Sequence, residues 1–243
     1  MIKALLLLLK FAKFGPLLKS AGFMLLSVGS YALLFGWRYA VGFVALVYVH
    51  ELGHYFSARR QGLDVGLPVM IPFLGAWTAL KDRPLSVEQE ARIAFAGPFV
   101  GTAATVLVLA AAMDMHSGLL MALAYAGFFV NLFNLLPIIP FDGGHVVAVL
   151  SPRTWLIGAP LLVFVLLWLR SPFLLLILIL LAPTIWAAVK AAWHGTLEQE
   201  NPRYYEAPLE ARVRYASYYL VLVAFLSYMT WLTHQQVEAL RQA

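Results

Sequence analysis

His50 and His54 stand four residues apart, with Glu51 between them, in the run His50-Glu51-Leu52-Gly53-His54. On a helix that turns about 100° per residue, side chains at i and i+4 leave the same face one turn apart. Two imidazoles so spaced can hold one metal ion. Glu51 is rotated off their line yet close enough to take a proton from water activated by that ion, which is the H-E-x-x-H arrangement for metal-assisted hydrolysis. A chance match is the bland alternative, but the run sits in an apolar stretch, where a His-Glu-His cluster costs several kcal/mol unless paired, metallated or hydrated.

A zinc ion that keeps a fourth position open for water needs a third protein ligand. Downstream, residues 133–145 read FNLLPIIPFDGGH. Pro137 and Pro140 prevent regular helix there, and Gly143 and Gly144 permit sharp turns. Irregular backbone at membrane depth survives only where protein buries it or it lines a watery cavity. Asp142, at the centre of the break, has two readings: the cap of a helix beginning near Gly143, or a metal ligand. Beside His50 and His54 it is the best oxygen ligand in the chain. Asp64, Asp82, Glu88 and Glu90 fall in loops or at a helix start, Asp114 falls on the opposite side of the membrane, and the later glutamates fall in a polar linker, at the start of the last span or in the tail.

The elements that must position these residues are hydrophobic. The chain has 243 residues, 62% of them hydrophobic, a mean hydropathy of +0.81 and no cysteine. That composition excludes an ordinary soluble domain and leaves no thiolate metal site. Runs able to cross a bilayer as helix, which takes roughly 20 residues, lie near 20–36, 39–58, 87–113, 119–136, 154–169, 172–189 and 213–232. The fold class expected is an all-α polytopic membrane protein with six or seven transmembrane helices. With the N-terminus inside, only Arg38, Arg170 and Arg241 of the 17 Lys and Arg fall outside, as the positive-inside rule requires. The basic excess therefore reads as orientation in a lipid bilayer, and no nucleic-acid partner is expected.

Residues 2–18 alternate leucines with lysines and are expected to break at Gly15 and Pro16, as an interfacial amphipathic segment (1–19) rather than a cleaved leader. Residues 194–212 turn polar and read as a cytoplasmic linker. Residues 66–81 are interrupted by Pro68, Pro72 and Gly75, yet carry Val, Ile, Phe and Trp suited to strands. They predict a short membrane-associated β-hairpin turning at 72–75, with a packed apolar loop as the alternative. Gly97, Pro98 and Gly101 mark close helix packing.

The two motifs together, His50-Glu51-Leu52-Gly53-His54 and Asn134-x-x-Pro137-x-x-Pro140-x-Asp142-Gly143-Gly144, resemble the site-2 protease family of intramembrane zinc metalloproteases, over residues 41–149. The resemblance implies one Zn2+ per chain on His50, His54 and Asp142, with Glu51 as the base. It places Asn134 beside the substrate backbone or developing oxyanion, a helix-to-helix hydrogen bond being the alternative. It places the hairpin, with Ile71, Phe73 and Trp77, where a strand edge could hold an extended substrate. His145 reads as a partner outside the ligand set. The expected activity is endopeptidase cleavage within or near a transmembrane segment of a membrane-protein substrate. The expected layout is one protease domain over 1–243, with a catalytic core at 39–150 and a last transmembrane helix at 213–233. No stretch reads as a PDZ or CBS domain, so a compact form is expected, its active site opening to the cytoplasm. A metal transporter and an inactive scaffold are the competing classes. The transporter is disfavoured because three firm ligands with a general base trap an ion better than they pass it along, and the scaffold because loss of activity normally begins with the ligands or the base, and all four are present.

Overall fold

The computed structural model describes residues 2–71, 75–77, 82, 84–170 and 172–242, with side chains left out at 2–18, 75–77, 172–174 and 177. In chain order the helices are α1 (Ile2–Phe35), α2 (Trp37–Arg60), α3 (Val87–Asp114), α4 (Gly118–Asn134), α5 (Asp142–Val147), α6 (Trp155–Leu169), α7 (Pro172–His194), α8 (Thr196–Glu200), α9 (Pro202–Tyr205) and α10 (Leu209–Gln242). Between α2 and α3 lie strands β1 (Val69–Ile71) and β2 (Gly75–Trp77).

The helical class and the hairpin are as expected, and the span count is reached only in part. Among the described residues, three stretches are long and apolar enough to cross a membrane: Val87–Asp114, Pro152–Leu169 and Leu209–Gln242. Lys19–Phe35, Gly118–Asn134 and Leu178–His194 are apolar but shorter. α2 is long enough, but His50, Glu51, His54 and the terminal Arg59 and Arg60 dilute its apolar character. Large side chains such as Leu33, Leu107, Trp168, Ile179 and Trp231 face outward from the helices, the inverse of a soluble surface and suited to lipid.

α3 is the central post. Ser86 caps it by accepting from the Gln89 N–H (3.2 Å), Gln89 accepts in turn from the Leu85 N–H (2.7 Å), and Glu88 and Glu90 suit the positive end of its dipole. α2, α4 and α5 all pack on it, and α10 covers α4. Most of the break between α4 and α5 is at least partly buried, with Ile138 fully enclosed. Its backbone is satisfied from outside: Tyr219 Oη donates to the Leu135 carbonyl (2.6 Å) and Trp155 Nε1 to the Gly144 carbonyl (2.9 Å). The nonhelical backbone of the break is thus held by protein.

Two expectations need correcting. α1 runs unbroken from Ile2 to Phe35, through Gly15 and Pro16. A proline deletes one backbone donor, and the leucine-rich turns on either side carry the helix across it. The polar stretch after His194 is more than a linker, since α8 and α9 dock on the core. Ser151 donates to Glu198 (3.0 Å), and Tyr204 Oη donates to Glu90 on α3.

The hairpin pairs β1 with β2 antiparallel, Val69 opposite Trp77, Met70 opposite Ala76 and Ile71 opposite Gly75. β1 packs against α1 and β2 against α2. Met70 is buried, and Ser20 on α1 donates to the Pro68 carbonyl leading into β1. The expected turn and Phe73 lie outside the described residues.

Candidate metal centre

Two helices and a turn bring the polar atoms together. From α2, His54 projects to the Ile93 carbonyl on α3 and His50 to Asn131 on α4, and Asp142 begins α5. The Asp142 side chain does not cap its helix. Its Oδ2 lies 3.1 Å from His50 Nε2 and its Oδ1 3.4 Å from His54 Nε2, while the two Nε2 atoms are 3.1 Å apart.

The hydrogen bonds behind the rings decide what those atoms can do. A carbonyl only accepts, so the Ile93 carbonyl 2.8 Å from His54 Nδ1 requires a proton on that nitrogen. Asn131 donates through Nδ2 to the Gly127 carbonyl (2.8 Å), which turns its Oδ1 to accept from His50 Nδ1 (2.8 Å). Both imidazoles therefore carry a proton at Nδ1, and in their neutral form they present Nε2 lone pairs to each other and to a carboxylate. Three electron-rich atoms facing one point repel unless a cation lies between them.

Their spacing fits one. A tetrahedral zinc ion with bonds of about 2.0–2.2 Å separates its ligand atoms by roughly 3.3–3.6 Å. The observed 3.1, 3.1 and 3.4 Å fall close to that range without rearrangement. The donor set, two nitrogens and an oxygen with no sulfur, is that of catalytic rather than structural zinc sites. Glu51 completes the group, its carboxylate and the two imidazoles offering ligand atoms within 4.8 Å of one another.

The small residues of α3 make this possible. A Cβ at Gly97 would overlap the His54 ring, and one at Gly101 would collide with the Asn131 amide. The Gly97-Pro98-x-x-Gly101 element is thus the floor on which α2 and α4 set their side chains.

The remaining site residues fall in different places. Asn134 ends α4, half-buried, and its helix neighbour Asn131 is the one bonded to His50. A signal for Asn131 existed, since a polar side chain inside an apolar span is functional by default. His145 turns away from the centre, its Nδ1 3.1 Å from Glu90 Oε1. Burial opposes charging of that imidazole, but the Glu90 carboxylate lifts its pKa above the ordinary histidine value. Tyr204 Oη donates to the other oxygen of Glu90. Burial, then the Glu90 charge, pushes the Tyr204 phenol well above its usual pKa. Neither Glu90 nor Tyr204 was marked by the sequence. Ile71 is half-buried on β1, and Trp77 is described only as the backbone end of β2.

Comparison with known proteins bears on this geometry. Residues 38–118 match the model of the family described as Peptidase family M50. That segment holds His50, Glu51 and His54, and Asp142 lies beyond it. The chain is 30% identical over 134 residues to zinc metalloprotease MJ0392 of Methanocaldococcus jannaschii, across 53% of this chain and 38% of that one. It is 33% identical over 133 residues to Rip3 of Mycobacterium tuberculosis, across 50% of this chain and 34% of that one. The matches thus cover little more than a third of the length of either relative. The matches agree with the resemblance to the site-2 protease family, and the family match covers the segment that carries His50, Glu51 and His54.

Proposed function

We propose that this chain is a zinc-dependent intramembrane endopeptidase that cuts a peptide bond within or near a transmembrane segment of a membrane-protein substrate. The observation that carries the reading is the convergence of His50 Nε2, His54 Nε2 and Asp142 at ligand spacing, next to Glu51, inside an apolar helix bundle. His50, His54 and Asp142 would hold one zinc per chain. When bound, zinc supplies Lewis acidity, polarising a scissile carbonyl and lowering the pKa of water toward roughly 7.

The chain's own residues do the rest. Glu51 accepts the proton of the attacking water as the C–O bond forms, then gives it to the departing amine nitrogen as the C–N bond breaks. Asn131 and the Ile93 carbonyl keep both imidazoles in one tautomer and orientation. Asn134, at the end of α4, is within the segment that would line the substrate's path and could donate to its backbone or to the developing oxyanion. A peptide bond inside a helix has its carbonyl occupied by an i to i+4 hydrogen bond, so the substrate must unwind before it can be cut. The two-stranded hairpin could offer an edge on which an unwound strand pairs, with Ile71, Phe73 and Trp77 as the candidate substrate contacts.

The arrangement in the membrane is part of the proposal: six or seven spans, with the N-terminus and the opening to the site on the cytoplasmic side. Orientation is supported by the Lys and Arg distribution. Because the chain has no cysteine, single replacements report cleanly. Lys190→Cys should label only from the cytoplasm and Arg170→Cys only from outside, and the reverse pattern inverts the topology.

The activity itself is tested by Glu51→Gln. The amide keeps the size and reach of the carboxylate but accepts no proton. Cleavage of a transmembrane substrate should fall by about 10²–10⁴ with zinc content near wild type. Cleavage at the wild-type rate with zinc bound would refute the mechanism. A transporter would keep its function under this change, and a scaffold would have no cleavage to lose.

A further inference from the structure

We propose that the cavity between α3, α5 and the α8–α9 strap is a specificity subsite, taking a bulky apolar or aromatic side chain two or three residues from the bond that is cut. This rests on the peptidase reading above. The cavity has a volume of about 490 Å³, within the roughly 300–1,000 Å³ of ligand pockets. Ile139, Trp155, Leu197, Tyr204 and Tyr205 form most of its wall, with Glu90 and His145 at its polar end.

Its position follows from two shared helices. On α3, Glu90 in the cavity precedes by three residues Ile93, whose carbonyl holds His54. On α5, His145 in the cavity follows Asp142 by three residues. Both offsets are close to one helical turn, about 5.4 Å. An extended peptide advances about 3.2–3.4 Å per residue and returns its side chains to the same face every second residue. A strand with its scissile bond at His50, His54 and Asp142 that runs toward Glu90 and His145 would bring a side chain two or three residues away to this cavity.

The chemistry of the wall selects the guest. Glu90 Oε1 pairs with His145 Nδ1 at 3.1 Å, and Glu90 Oε2 accepts from Tyr204 Oη. Each oxygen of that carboxylate already has a partner, so the polar end offers a cationic guest no unpaired carboxylate. The aromatic and aliphatic wall has no such competition. A transmembrane segment drawn out of its helix exposes bulky apolar side chains to a wetter site, and an apolar pocket one turn away compensates the one that reaches it. The outer wall is the strap, fastened by Ser151 to Glu198 (3.0 Å) and by the Tyr204 hydroxyl.

The test uses full-length enzyme in proteoliposomes and a series of transmembrane substrates carrying Phe or Ala at each of the three positions on either side of the cut. Cleavage is read by mass spectrometry as the Phe-to-Ala ratio within each enzyme, so that a general loss of activity cancels. Wild type should prefer Phe roughly tenfold or more at one position. Leu197→Trp, which fills the cavity, should lower that ratio about tenfold at the same position. Tyr205→Ala, which widens it, should also change the ratio there and nowhere else. Zinc content verifies that each variant is folded. A wild-type enzyme with no preference at any of the six positions, or a preference that neither variant shifts, overturns the subsite while leaving the peptidase intact. A zinc-loaded wild type that cuts nothing in the series overturns both.

Discussion

Two histidine–carboxylate clusters lie one helical turn apart, and they are built to opposite ends. In one, His50 and His54 spend their Nδ1 protons on Asn131 and the Ile93 carbonyl, leaving lone pairs aimed at each other and at Asp142. In the other, His145 meets Glu90 directly and Tyr204 takes the second oxygen, so every strong group has a partner of opposite character. Both join histidine to carboxylate. What separates a metal site from a structural ion pair is whether the acceptors behind the rings strip the front of protons. The first cluster is electrostatically incomplete without a cation, and the second is complete as it stands.

Removing ligands should separate the two most sharply. His50→Ala and His54→Ala are expected to lower zinc affinity by more than the roughly 10–100-fold typical of losing an outer partner, with activity falling to background. His145→Ala should leave zinc content close to wild type. Elemental analysis of the purified variants decides it, and equal zinc loss from His145→Ala would erase the distinction.

The acceptor behind the ring comes next. Asn131→Leu removes the group that holds the His50 proton at Nδ1, and should cost about 10–100-fold in metal affinity or activity. Competition with a graded chelator measures this. An effect no larger than that of a change elsewhere on α4 would mean that the tautomer is set by something other than Asn131.

Two smaller changes probe the surroundings. Gly97→Ala drives a methyl into the His54 ring. Overpacking of this kind costs about 1–3 kcal/mol, so thermal stability and zinc affinity should fall together. Tyr204→Phe deletes one donor to Glu90 and should lower stability by about 1 kcal/mol, as read from thermal unfolding, with zinc content unchanged. A Tyr204→Phe enzyme that loses its metal would tie the two clusters into one.

Much of the centre was legible because it is local. The H-E-x-x-H spacing needs only helical geometry, and Asp142 stands out as a carboxylate in a Pro- and Gly-broken segment beside apolar spans. The hairpin showed in its Pro and Gly punctuation. Asn131 was hidden because Asn131 and Asn134 lie on the same span three residues apart. Choosing between them needs the rotation of α4 against α2, which no single-chain pattern carries. The docked strap was hidden for another reason. α8 and α9 hold five and four residues, too few to be stable as isolated helices, and they form because Glu198 and Tyr204 find partners on the core. The continuous α1 shows the opposite failure, in which a local helix breaker at Pro16 was outweighed by its neighbours.

The central claim is that His50, His54 and Asp142 share one zinc, and X-ray absorption at the zinc edge addresses it most directly. Wild-type protein should carry one zinc per chain, with two imidazole nitrogens and oxygen ligands at about 2.0–2.2 Å and no sulfur. Asp142→Ala should lose metal or an oxygen scatterer. A wild-type spectrum without two imidazoles, or full zinc occupancy with an unchanged spectrum in Asp142→Ala, would contradict the account.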